Sequence, residues 1–101
     1  MRSKLNKFLH YLQIEKGFSQ GTIEAYQLDI ERGLIPFLRQ RGKFEVGDVT
    51  KADIRVYLDY VATDRGNCGA TRARKLAAIK SFFNYLAENE GLKVNPAAST
   101  G

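Results

Sequence analysis

Catalysis needs particular side chains at particular spacings, and this 101-residue chain offers few of them. General acid–base work uses a histidine, or a carboxyl of shifted pKa, beside the reacting group. The single histidine, His10, stands next to Tyr11 near an apolar stripe and reads as a boundary residue. The single cysteine, Cys68, falls in a turn-rich stretch and reads as a half-buried loop thiol. A Cys–His nucleophile would require the two to meet in space, and nothing in the sequence directs that. One Cys and one His also exclude an internal disulfide framework and a multi-Cys or His-rich zinc site. Gly66, Gly69 and Gly91 lack the lysine spacing of a phosphate loop. The acids read as caps and solvated faces. The expectation is no catalytic residue, no metal and no cofactor.

The anion chemistry is richer. Ser19-Gln-Gly-Thr22 and Gly69-Ala-Thr-Arg-Ala-Arg-Lys75 both read as helix starts, with hydroxyls, exposed backbone N–H groups and a positive dipole end. Such ends bind phosphate oxygens. The second adds three cations in four residues, Arg72, Arg74 and Lys75. The chain carries 16 Lys+Arg against 11 Asp+Glu, a formal charge of +5. From Arg65 to Ala87 the bases Arg65, Arg72, Arg74, Lys75 and Lys80 occur with no acid, and Arg39, Arg41 and Lys43 form a second basic group. On a helical wheel Arg74 and Ser81 lie opposite the Leu76/Phe83 line, with Ala77 and Ala78 nearby and Lys80 and Ala73 at one border. Small residues beside cations permit close approach to a nucleic-acid backbone, although an ordinary solvated face would look the same. Most of the 11 % aromatic residues sit on or beside apolar stripes, which argues against a single-strand stacking platform.

Helices must position these groups. Leu5, Phe8, Leu9 and Leu12 mark a first helix over about Ser3–Lys16, ended by Gly17. Ser19 caps a second, with Ile23, Tyr26, Ile30, Leu34, Phe37 and Leu38 on its stripe; Gly33 and Pro36 predict a kink or break before the helix resumes to about Arg41. Thr50-Lys-Ala-Asp53 is a capping pattern for a third helix to Thr63, striped by Ile54, Tyr57, Leu58 and Val61. After a loop at Asp64–Gly69, Leu76, Ile79, Phe82, Phe83 and Leu86 mark a fourth from about Thr71 to Asn89. No strand alternation or internal repeat is visible. The fold class is therefore all-α, a compact bundle of four to five helices. Residues 1–92 read as one domain and 93–101 as the start of a linker. Met1–His10 lacks a continuous apolar signal-peptide core and no apolar run could span a membrane, so a cytoplasmic protein with no membrane partner is expected.

Four motifs together resemble a known family. Ser19-Gln-Gly-Thr-Ile-Glu-Ala-Tyr26 followed by Asp29 is similar to the S-x-x-T-x-x-x-Y-x-x-D helix start of tyrosine recombinases. Thr50–Tyr57 resembles their third helix, Ala70–Leu86 their R-x-L-x-A-I-(K/R)-x-F-(F/Y)-x-Y-L helix, and Asn95-Pro96-Ala97 the N-P-A that closes their N-terminal module. The resemblance runs from about Leu5 to Ala98 and points to the SAM-like core-binding domain of phage-integrase and Xer-type recombinases. It implies a module that, with a C-terminal catalytic domain, clamps duplex DNA; the Arg, Lys, His and Tyr that cut and rejoin strands belong to that second domain. This chain stops just after Asn-Pro-Ala, so the resemblance implies double-stranded DNA binding in support of integration and recombination, without catalysis. The DNA-facing positions it implies are Ser19, Gln20, Thr22, Ala25 and Tyr26 on one helix, and Thr71, Arg72, Arg74, Lys75 and Lys80 on the other. Gly21 departs from the polar residue usual in the family. Other recombinase subunits are implied partners in an assembled complex, with the isolated domain a monomer.

Two alternatives remain open on the residues alone. A helical protein-interaction module would show a contiguous apolar patch, and a small helix-turn-helix regulator would join two helices by ~3–4 residues.

Overall fold

Leu5, Phe8 and Leu12 are spaced to share one helical face, and the chain folds so as to bury all three. In the computed structural model, which describes residues 1–63 and 68–98, they lie on α1 (Arg2–Ile14). α2 (Gln20–Leu28) follows, then a π-helical segment (Asp29–Leu34), α3 (Ile35–Gln40), a 3₁₀ turn (Val46–Asp48), α4 (Lys51–Thr63) and α5 (Gly69–Asn89). No strand occurs among the described residues, and the architecture is the expected all-α bundle. The expected loop at Asp64–Gly69 falls for its residues 64–67 outside the described ones, and α5 begins two residues earlier than the stripe suggested.

α5 is the central element. Its Ala78, Ile79, Phe82, Phe83, Tyr85 and Leu86 are all buried. Phe82 meets Phe8 of α1 with ring centroids 5.3 Å apart, and Tyr85 meets Phe8 at 5.7 Å. Tilted aromatic pairs of this kind add about 0.5–1.5 kcal/mol beyond their buried area. Ala78, placed on the outer face by the helical wheel, is fully buried. The helix is covered on more than one side, so its apolar arc is wider than the Leu76/Phe83 line. Leu9, Tyr26, Phe37 and Leu58, also expected in the core, pack at its edge.

Two helix starts are set as the sequence dictates. Gly17 adopts φ +64, the left-handed conformation that glycine takes without strain. Ser19 then caps α2, its hydroxyl oxygen accepting the Thr22 N–H at 3.3 Å. At α4 the capping pattern closes reciprocally: Thr50 Oγ1 accepts the Asp53 N–H at 3.2 Å, and Asp53 Oδ2 accepts the Thr50 N–H at 2.8 Å. Asp53 is only 1 % exposed and also takes Arg41 at 2.9 Å and Lys43 at 3.1 Å. One carboxylate thus ties the end of α3 to the start of α4, and it engages two members of the second basic group, the three charges summing to one positive charge. Burial pushes the Asp53 carboxyl up, but the Thr50 N–H and the Arg41 and Lys43 cations together hold it well below the usual carboxylate range.

Of the kink or break expected at Gly33–Pro36, the break does not form. The chain stays helical from Gln20 to Gln40 and widens by one residue instead, the Ile35 N–H reaching the Ile30 carbonyl. A proline ring in a regular α-helix clashes with the carbonyl four residues back and lacks a donor for it. The wider π turn just ahead of Pro36 relieves that conflict. Gly33 within it faces Tyr57 of α4, and a Cβ there would lie 2.5 Å from the Tyr57 hydroxyl. Burial, then the nearby Asp29 carboxylate, push the Tyr57 phenol up to about 12.

Residues 93–98, expected to leave the domain, turn back onto it. The Asn95 amide donates to Asn84 Oδ1 at 2.7 Å, and its oxygen accepts the Ala97 N–H at 2.9 Å. Pro96 is buried and Ala97 is 1 % exposed.

Two outcomes follow from this packing. Gly33→Ala should gain helix propensity worth ~1 kcal/mol yet lose about 1–3 kcal/mol to overpacking against Tyr57, so its Tm falls. Adding Tyr57→Phe should restore most of the loss; a melt unchanged by Gly33→Ala contradicts the contact. For Asp53, the lowered folded pKa means that its contribution is present above the unfolded value and is lost as pH falls. Denaturant melts should therefore show the wild type losing stability between about pH 5 and pH 2, and Asp53→Asn a shallower loss over that window.

Candidate nucleic-acid interface

The face of α2 that carries the candidate residues is defined by helical geometry. Ser19, Thr22, Tyr26 and Asp29 stand at i, i+3, i+7 and i+10, within one line along the helix. The line starts exposed at Ser19 and Thr22, is half-buried at Tyr26, and ends at Asp29, which is 4 % exposed. Gln20 is exposed and Ala25 half-buried. Tyr26 packs edge-on against Phe18 at 5.9 Å, so its ring is shared between seam and surface.

Asp29 is where α2 meets α5. A buried carboxylate requires a cation or several donors, and α5 supplies both. Arg74 donates from Nε to Oδ2 at 2.8 Å and from Nη2 to Oδ1 at 2.9 Å, a two-bond fork. Lys75 Nζ adds a third contact, to Oδ1, at 3.2 Å. The bonds to Asp29 raise the Arg74 pKa further, against the opposing pull of burial. The Arg74 side chain remains 43 % exposed, whereas Lys75 keeps only 17 %. Arg74 is therefore held by two bonds in a side chain that stays partly exposed, and Lys75 is turned in. Between them Arg74, Lys75 and Asp29 sum to a single positive charge.

Arg72, one position before Ala73, is exposed and reaches the Ala62 carbonyl of α4 at 3.4 Å. Lys80 is half-buried and has no ion-pair partner among the described residues. Thr71 is half-buried, its Oγ1 3.4 Å from Cys68 Sγ. Cys68, expected half-buried, is exposed at the N-cap of α5 and makes no capping bond. The bond from the Thr71 hydroxyl lowers its thiol pKa.

The two helix starts lie toward opposite ends of the seam between α2 and α5. Phe18, just before α2, lines a groove of about 310 Å³ with Ser81 and Asn84 of α5, whereas Asp29, ten residues later, contacts Arg74. The pair is therefore antiparallel. Ser19–Thr22 lies beside the second half of α5, and Thr71–Lys75 at the other end of the seam. The structure brings Arg74 and Lys75 together on Asp29, one turn along from Tyr26, and sets Ser19, Gln20 and Thr22 apart from Thr71 and Arg72. Sequence reasoning missed Lys16, which shares that groove with Phe18 and stands 6.0 Å over the Tyr11 ring. It also missed the role of Asp29. The sequence shows Asp29 on the same helical line as Tyr26, but its burial, which is what demands donors, depends on the packing of α5.

The other basic residues are spent elsewhere. Lys4 and Lys7 both pair with Glu90, at 3.7 and 3.6 Å, and Arg2 with Glu31 at 3.8 Å. Positive charge without a carboxylate partner on α5 is thus confined, among the described residues, to Arg72 and Lys80. No group of three His, Cys, Asp or Glu among the described residues could hold a metal ion, and no helix of the described residues is long and apolar enough to cross a membrane.

A model of the phage integrase N-terminal SAM-like domain matches residues 5–90. The chain is 41 % identical over 96 residues to tyrosine recombinase XerC of Myxococcus xanthus, covering 92 % of this chain and 30 % of that protein. It is 34 % identical over 96 residues to XerC of Herpetosiphon aurantiacus, covering 95 % of this chain and 31 % of that protein. XerC of Pelotomaculum thermopropionicum shares 38 % identity over 95 residues, 91 % of this chain and 31 % of that protein. The chain thus spans about three-tenths of the length of these relatives. No solved structure matches it significantly.

Arg74→Ala leaves Asp29 with Lys75 alone. Since Arg74 is partly screened by solvent, the expected cost is about 1–3 kcal/mol, while Arg72→Ala should stay within ~0.5 kcal/mol of wild type. Urea melts read both, and equal effects of the two substitutions would remove Arg74 from its structural place.

Proposed function

Because the chain belongs to the phage integrase N-terminal SAM-like domain family, as a Xer-like recombinase module, we propose that it holds double-stranded DNA along the α2–α5 seam. The observation that carries this reading is the Arg74 guanidinium, fixed by Asp29 with part of its donor edge in solvent. The N–H bonds that the pairing leaves over, two of them on Nη1, suit phosphate oxygens, which accept paired donors. Arg72 and Lys80 extend the positive charge along α5, and Lys16 extends it past the start of α2. At that start, Ser19 and Thr22 supply hydroxyls, and the first backbone N–H groups of α2 add a positive dipole end. Gln20, Ala25 and Tyr26 flank the same stretch, and Thr71 opens the other end.

These contacts are of the positioning kind. Phosphate bonds set register and orientation without reading sequence. The module itself catalyses nothing. Strand cleavage and rejoining belong to a part of the parent recombinase outside this chain. In that setting the module works with other recombinase subunits on DNA during integration or recombination. The helix-turn-helix alternative fits less well, since five residues separate Thr63 from Gly69. The protein-interaction alternative finds its exposed apolar residues, Ile14, Leu28, Phe44, Val56, Tyr60 and Val94, on separate elements, apart from Val56 and Tyr60 on α4.

Titration of a short fluorescent duplex at increasing salt tests the proposal. About four phosphate-facing cations give a slope of log K against log salt near −3 to −4, at roughly 0.9 per contact. Arg72→Ala and Lys80→Ala should each reduce that slope by about 0.9. Affinity that does not change between ~50 and ~200 mM salt would falsify the assignment.

A further inference from the structure

The Asp29 carboxylate holds two cations on the face assigned to DNA, and its position within the π-helical segment is not needed to build the core. Ile30 and Leu34 of that segment are fully buried and do that work. Asp29 instead turns its carboxylate to α5, where Oδ1 is shared by Arg74 Nη2 and Lys75 Nζ. An arginine fork made through Nε and Nη2 leaves three of the five guanidinium N–H bonds unused, two of them on Nη1. Those three are the donors left to the exposed part of Arg74. Lys75 has no such remainder on offer, because its ammonium is turned inward.

We propose that Asp29 is a positioning and restraining residue of the interface: it fixes the direction in which Arg74 presents its free donors, and it withholds Lys75 from a polyanion. The seam then offers one directed contact where the sequence has two adjacent cations. Electrostatic attraction to phosphate is independent of base sequence, so a carboxylate that cancels one charge lowers attraction to arbitrary DNA. The Arg74 contact that remains depends on geometry, and it is lost wherever the backbone does not match the fork. Asp29 acts through Arg74 and Lys75 and does not itself meet the phosphate.

This inference rests on the DNA-binding reading above, and its test separates the two. The probe is a short duplex of arbitrary sequence, titrated at several salt concentrations against wild type and Asp29→Asn. The variant should bind more tightly at low salt, with a slope steeper by about 0.9, the share of one additional phosphate contact. An unchanged slope in a variant that keeps its helical circular dichroism overturns the inference while leaving DNA binding standing. Absence of any duplex binding by the wild type overturns both. Should Asp29→Asn not fold, Lys75→Gln and Lys80→Gln carry the test. Lys75 is withheld, so its removal should change the slope by much less than the removal of Lys80. Equal reductions from the two variants would show that Lys75 is already in use, and would overturn the inference.

Discussion

One ion cluster decides how the candidate surface is built. Asp29 lies at the junction of α2 and the π-helical segment, and is almost without solvent contact. A carboxylate so placed is costly unless its lone pairs are filled. Arg74 and Lys75 fill them from a helix 45 and 46 residues further along the chain. The apolar core would accept small rotations of α5 against α2. A two-bond fork does not, because both of its distances must be met together. The cluster therefore sets how the seam is aligned, while Phe8, Phe82 and Tyr85 supply most of the adhesion on the α1 side.

Asp53 follows the same logic at the other end of the helical rod. It caps α4, and through Arg41 and Lys43 it draws in the segment after α3. Two buried carboxylates thus engage four of the chain's cations, each cluster keeping one net positive charge. Glu90 takes Lys4 and Lys7 as well. A count of basic residues overstated the number of free cations, since several of them are paired within the fold. The charge left over is small in amount and local in place, which suits a surface that orients a partner better than one that merely attracts it.

Much of the fold was legible in the sequence because helical periodicity and capping chemistry are local. The stripes of α1 and α4, the Ser19 cap and the Thr50–Asp53 box all depend on residues within a turn or two of each other. Three features were not legible. Ala78 and Tyr85 are buried because α5 is covered on several sides, which one helix's pattern cannot report. The π segment arises from competition between Pro36 and the continuing apolar stripe at Leu34, Ile35 and Leu38. Local rules registered the proline but not the stripe's power to keep the helix going. The pairing of Arg74 and Lys75 with Asp29 is a long-range contact, so the basic run looked freer than it is. On the candidate surface the residue types were readable, whereas their grouping and the antiparallel sense of α2 and α5 were not.

The clasp at Asn95 has a mechanical consequence. Its amide holds Asn84, and its oxygen holds the Ala97 N–H, so the chain leaves the body anchored to α5 rather than dangling from Gly91. A load applied past Ala98 therefore travels into the helix that also bears Arg72, Arg74 and Lys80. Residues 93–98 and the cations of α5 thus share one helix as their support.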